Sequence, residues 1–136
     1  MNVIADTGFV VAFLSKADNY NGWAVETAAR VNMPILTCEA VVAETAFHMK
    51  SATPVLEMVR EGMIEIGFNA QVEITHLREL AKRFSDRRPD FADLCLIRMS
   101  ELYPRYTVLT TDEHDFRVYR RNKRDAIPLL CPPRRQ

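Results

Sequence analysis

Apolar positions along the chain recur at two different spacings, and the switches between them divide it into short strands separated by helices. The run Val3, Ile4, Ala5 stops at Asp6-Thr7-Gly8 and is followed by an apolar stretch over residues 9–16, which predicts strand, turn and buried helix. Trp23, Val25, Ala28 and Ala29 recur partly at helical spacing and predict a second helix over 19–31, before Pro34 leads into a brief strand over 35–37. Residues 38–49 read as helix. Pro54 opens a further short helix that Gly62 closes, and residues 63–66 alternate as a strand does. Val72, Leu77, Leu80, Ala81 and Phe84 lie on one stripe, which predicts a long amphipathic helix over 69–84. A mostly apolar helix over 90–102 capped by Asp90, a strand over 107–110 and a helical piece over 113–120 follow. The last element is a strand over 127–130, placed at a sheet edge because Pro128 cannot donate to a ladder on both sides.

Strands that alternate with helices pair in parallel, since parallel neighbours need a dozen or more residues to return, and the pattern therefore describes an α/β sandwich with a mostly parallel sheet. A chain of 136 residues with 48% hydrophobic residues builds one core, so residues 1–131 are expected to form one domain and residues 132–136 a loose tail. No apolar run approaches a membrane span and the first residues lack the layout of a signal peptide, which points to a cytoplasmic protein with no membrane partner. Cys38, Cys95 and Cys131 are an odd, widely spaced set that reads as reduced thiols, with Cys95 in an apolar helical run. Met33, Met49, Met58, Met63 and Met99 read as core filling or a dimer surface.

The informative polar residues are acids. Asp6 and Asp112 each stand at or just past the C-terminal end of a predicted strand, where open parallel sheets bind ligands, although an aspartate there also serves as a turn or cap residue. Glu44 is the one charged residue between Ala40 and Phe47 and shares a helical stripe with Ala40, Ala43 and Phe47, so it is expected to face inward and to need a cation. Asp90 and Asp93 have the spacing of a capping box; Asp90 is assigned the cap and Asp93 the cleft. Four converging carboxylates are stable in ionised form only around a cation. All-oxygen ligation suits Mg²⁺ or Mn²⁺, whereas zinc would call for histidine or cysteine, and His48, His76 and His114 have no paired ligand spacing. Such an ion activates water and steadies a phosphate, which is the chemistry of phosphodiester hydrolysis.

Four segments carry a resemblance: residues 3–8 with the apolar helix after them, 36–44, 91–96 and 109–116. In this order they resemble the PIN-domain nucleases and, within them, the VapC-type toxins of toxin–antitoxin pairs. The resemblance implies a three-layer α/β/α domain, Mg²⁺- or Mn²⁺-dependent cleavage of RNA, a homodimer, and an antitoxin protein that occupies the active site. Asp6, Glu44 and Asp93 are then the core metal ligands, Asp112 the fourth acid, and Asp115 a more distant member, with Thr7 and Thr111 placed to hydrogen-bond a carboxylate or a metal-bound water. Similar domains also process RNA without being toxins, and others bind without cleaving; the presence of all four acids argues against the inactive reading.

The total charge is balanced, with 18 basic and 18 acidic residues, so RNA must be held by a local patch. Residues 117–124 hold five cations, and Arg87 and Arg88 precede Asp93. Arg87, Arg88, Arg117, Arg120 and Arg121 are the expected phosphate contacts and Tyr119 the expected base-stacking residue. A phosphatase using Asp6 as nucleophile is disfavoured because no second aspartate stands two residues on, and a thiol hydrolase built on Cys95 because that residue reads as core.

Overall fold

The computed structural model describes residues 1–133. Five short strands form one sheet: β1 (Val3–Ala5), β2 (Ile35–Thr37), β3 (Ile64–Ile66), β4 (Thr107–Leu109) and, at the far edge, Leu129–Leu130. The sheet order is β3, β2, β1, β4 and then the Leu129–Leu130 strand, and every neighbouring pair is parallel. The central strands are buried on both faces, which is why they read as unbroken apolar runs.

Helices α1 (Thr7–Leu14) and α2 (Asn21–Arg30) connect β1 to β2, and α3 (Glu39–Met49) and α4 (Thr53–Arg60) connect β2 to β3. The chain then crosses back over β1 through α5 (Ile74–Arg83) and α6 (Phe91–Leu102) to reach β4. Crossovers are right-handed, so this reversal of direction puts helices on both faces and yields the three-layer α/β/α sandwich. It also opens a crevice between β1 and β4, beyond their C-terminal ends. After β4 come α7 (Glu113–Val118) and a two-stranded antiparallel ribbon, β5 (Arg120–Arg121) with β6 (Asp125–Ala126), before the edge strand β7 (Leu129–Leu130).

Several boundaries differ from expectation for local physical reasons. Helix α1 starts at Thr7 because the Asp6 carboxylate caps it, accepting from Phe9 N at 2.8 Å. The predicted helix over 69–84 begins only at Ile74; Asn69 instead caps a turn through its side chain, accepting from Val72 N. The basic stretch after α7 is a hairpin rather than helix, turning at Asn122 and Lys123, both at positive φ. Strand β7 begins after Pro128, whose carbonyl accepts from Val108 N at 2.8 Å. The expected tail over 132–136 lies largely outside the described residues. Among the described residues, no helix is long and apolar enough to cross a membrane.

Candidate active site

The crevice at the β1/β4 switch point is an open cleft of about 460 Å³, lined by Asp6, Asp18, Glu44, Asp90, Asp93 and Asp112 together with Thr7, Gly8, His48 and Thr111. Six carboxyl groups from distant parts of the chain therefore share one hollow.

Asp6 follows the central strand directly and is only 5% exposed. Its position is fixed by strand register. Ala5 pairs with Leu109, Asp6 N donates to Leu109 O, and the next residue of the neighbouring strand, Thr110, is fully buried beside the carboxylate. The Thr110 hydroxyl donates to Asp6 while accepting from Asp112 N at 2.8 Å, so one side chain joins the two aspartates. Burial, with the charges of Asp112 and Glu44 added, pushes the Asp6 carboxyl up to about 7 despite those hydrogen bonds.

Glu44 enters from α3. Thr7 Oγ1 donates to its Oε1 at 2.5 Å, which ties the start of α1 to α3 across the cleft. The expectation that Glu44 shares a core-facing stripe is overturned: Phe47 is 80% exposed and Ala43 is exposed, while the buried face of α3 carries Val41 and Thr45. Glu44 sits half-buried on the boundary, where its charge reaches the wet cleft instead of the core.

Asp93 enters from α6. The Asp90 carboxylate caps this helix, accepting from Asp93 N at 2.8 Å, as the capping-box spacing requires. Asp90 nevertheless lines the cleft too. The Asp93 side chain accepts from the Tyr119 hydroxyl at 3.2 Å; burial first, then the neighbouring Asp90, raises its carboxyl to about 7. Asp112 caps α7 by accepting from Asp115 N, and partial burial also raises its carboxyl. Asp115 stands outside the lining; its backbone N–H holds Asp112, and its charge acts on Asp93 and Asp112.

Tyr119 is not available to stack on a base. It is 3% exposed, packed edge-on against Phe84 and Phe116, with its hydroxyl committed to Asp93. Arg121 reaches back to Ser100 O and Oγ, and Arg120 to the carbonyls of Arg117 and Tyr119, so both hold the hairpin against its neighbours. Arg117 pairs with Glu113. Arg87 and Arg88 are exposed on the turn before α6.

Sequence reasoning did not single out Thr110, Gly8, Asp18 or His48. Thr110 becomes visible only once the register places it beside Asp6. At Gly8 a Cβ would collide with Thr111 Oγ1, so the residue allows α1 to start against the strand-end loop.

The donor set fits a hydrated hard cation. It consists of carboxylates and hydroxyls, and Mg²⁺ keeps several of its waters while taking one or two carboxylates. Among the described residues no three His, Cys, Asp or Glu side chains stand close enough to hold a metal ion together, so these acids would reach an ion in part through its waters.

No protein-family model and no curated protein sequence matches the chain. Among solved structures, the chain is similar to VapC20 of Mycobacterium tuberculosis, described as a sarcin–ricin-loop-cleaving toxin, with a TM-score of 0.69 and 18% identity over 79% of this chain and 87% of that one. The likeness establishes a PIN-like fold.

Proposed function

We propose that this chain is a metal-dependent endoribonuclease of the VapC toxin type, hydrolysing RNA phosphodiester bonds at the Asp6, Glu44, Asp93 and Asp112 cleft. The observation that carries the reading is the meeting of these four acids, from four separate segments, at the switch point of a PIN-like sheet. The structural likeness to a toxin that cleaves an RNA loop supports the substrate class.

A bound Mg²⁺ or Mn²⁺ would lower the pKa of a water and offset charge on the phosphate. Asp6, Glu44 and Asp93 would hold it, with Asp112 as the fourth acid. The protein's own part is orientation. Thr110 fixes Asp6 against Asp112, Thr7 fixes Glu44, and Tyr119 fixes Asp93, so each carboxylate meets the ion with its rotamer already chosen. Thr111, at the rim, is placed to bond a water or a carboxylate. An acidic cleft repels RNA unless basic groups stand beside it, and the exposed Arg87 and Arg88, with Arg117, supply phosphate contacts.

Residues 1–131 make up the nuclease domain in this reading. Phe47 on α3, Leu56 on α4, Val72 and Ile74 at the start of α5, and Phe91 at the start of α6 are at least half exposed, which supports a protein partner covering these faces, as a homodimer or an antitoxin would.

The deciding experiment incubates the purified chain with total RNA, with Mg²⁺, with Mn²⁺ and with chelator, beside Asp6→Asn and Glu44→Gln. Cleavage that needs the metal and is lost in both variants is expected. Cleavage that persists in chelator, or in Asp6→Asn, refutes the mechanism.

A further inference from the structure

Beside the acidic cleft lies a second opening of about 410 Å³, walled by the start of α3, the loop from Phe68 to Gln71 and the start of α6. The two hollows share their supports. On α6, Asp90, Ala92 and Asp93 line the cleft while Phe91 lines the opening. On α3, Glu44 lines the cleft, and Ala40, one turn earlier and about 6 Å back along the axis, lines the opening. A nucleotide whose phosphate sits in the cleft therefore has its base within reach of the opening.

The loop in its wall is irregular but anchored at both ends. Gly67 N donates to Thr37 O and Tyr103 Oη donates to Gly67 O, each at 3.0 Å, and Glu73 holds the other end in a nearly buried ion pair with Arg98 at 3.0 Å. Between these anchors Asn69 Oδ1 accepts from Val72 N, while the Asn69 NH₂ group and the Gln71 side chain have no partner among the described residues. Phe91 is 50% exposed, Phe68 is half-buried, and neither ring packs on another aromatic among the described residues. Glu39, the first residue of α3, is the one charged group among the described lining residues. Aromatic faces, carboxamides and a carboxylate on a preformed wall are what an unpaired base needs, for stacking and for its hydrogen-bonding edges. An apolar protein face laid here would instead cut the amides and the carboxylate off from water without pairing them.

We propose that this opening is a base-recognition pocket, which takes one unpaired nucleobase bearing an exocyclic amino group from the RNA whose phosphate lies in the cleft. The proposal rests on the ribonuclease reading. Phe91 and Phe68 give the ring a surface to stack on, and Asn69 and Gln71 meet its polar edge. The Glu39 carboxylate accepts from the amino group, which adenine, cytosine and guanine carry and uracil lacks. Tyr119, which the sequence favoured for stacking, is enclosed by Phe84 and Phe116, so the base contact passes from the hairpin to the start of α6. Arg87 and Arg88, exposed on the turn just before Phe91, are placed by the chain to hold neighbouring phosphates.

The test measures binding of the full chain, in chelator so that no strand is cut, to three short single strands: oligoadenylate, oligouridylate and an abasic strand with the same ribose-phosphate backbone. The parent should bind oligoadenylate roughly 10-fold more tightly than oligouridylate, and the abasic strand most weakly. Phe91→Ala should weaken oligoadenylate binding by roughly 5- to 100-fold and leave binding of the abasic strand unchanged. Glu39→Ala should erase the preference over oligouridylate. Both side chains are exposed, and melting temperatures equal to the parent's would confirm intact folds. A parent that binds all three strands alike, or none, overturns the proposal, as does a Phe91→Ala chain that loses the abasic strand equally. A Phe91→Ala chain with parental RNA affinity that loses self-association in sedimentation gives the face to a protein partner and overturns it too. A parent that discriminates the strands yet cleaves no RNA with Mg²⁺ or Mn²⁺ rejects the ribonuclease reading and leaves the base pocket standing.

Discussion

Replacing Asp6 by asparagine should make the metal-free protein more stable while abolishing its response to Mg²⁺. The carboxyl titrates near 3.8 when unfolded and at about 7 in the folded protein, chiefly because it is buried. Below pH 4 both states hold the proton and the contribution to stability is fully present. Between about 4 and 7 the unfolded carboxyl ionises first, so stability falls with rising pH; above 7 the loss is complete. The full difference corresponds to about 4 kcal/mol, and water in the open cleft reduces it to about 2. Asparagine is neutral and keeps the oxygen that accepts from Phe9 N. In chelator at pH 8, Asp6→Asn should therefore melt on the order of 5–8 °C above the parent. Mg²⁺ at 100 times its Kd should raise the parent by about 2.7 kcal/mol and the variant hardly at all, reversing the order. Thermal melts from pH 4 to 8, with chelator and with Mg²⁺, read both effects. A variant that melts below the parent in chelator at pH 8, or a parent whose stability is flat across this range, refutes the reasoning.

Gly8→Ala improves helix propensity yet drives a methyl into Thr111 Oγ1, and a net loss of about 1–2 kcal/mol is expected in denaturant titrations; a stabilised variant would show that Thr111 yields freely. Tyr119→Phe removes the hydroxyl that holds Asp93 and should weaken Mn²⁺ binding by about 10-fold, measured by calorimetry. Unchanged affinity would reduce Tyr119 to packing. Replacing Arg87 and Arg88 by alanine should lower the slope of log K against log salt for single-stranded RNA by about 1.4, whereas Arg121→Ala should lower the melting temperature more than RNA affinity, because it frees the hairpin from Ser100.

The central strands were legible because burial on both faces leaves unbroken apolar runs, and α6 was legible because Asp90 and Asp93 have capping spacing and cap geometry follows from local backbone. The same logic brought Asp6 and Asp112 to strand ends. What failed depends on partners far along the chain. Whether the stripe holding Glu44 or the one holding Val41 and Thr45 is buried is decided by the elements that cover α3, and both stripes contain apolar residues. Tyr119 lies in a basic stretch that looks solvated, yet Phe84 and Phe116 enclose its ring. Placing Thr110 beside Asp6 requires strand register, which has no local signature.

The pairing of Val3 with Thr107 joins two strands separated by roughly 100 residues of synthesis. At the usual pace of translation the early segment waits about 5–20 s for its neighbour. Throughout that interval Asp6 lacks the flank that gives it Thr110 and Asp112, so a growing chain on the ribosome, close to abundant RNA, cannot yet assemble its cutting centre.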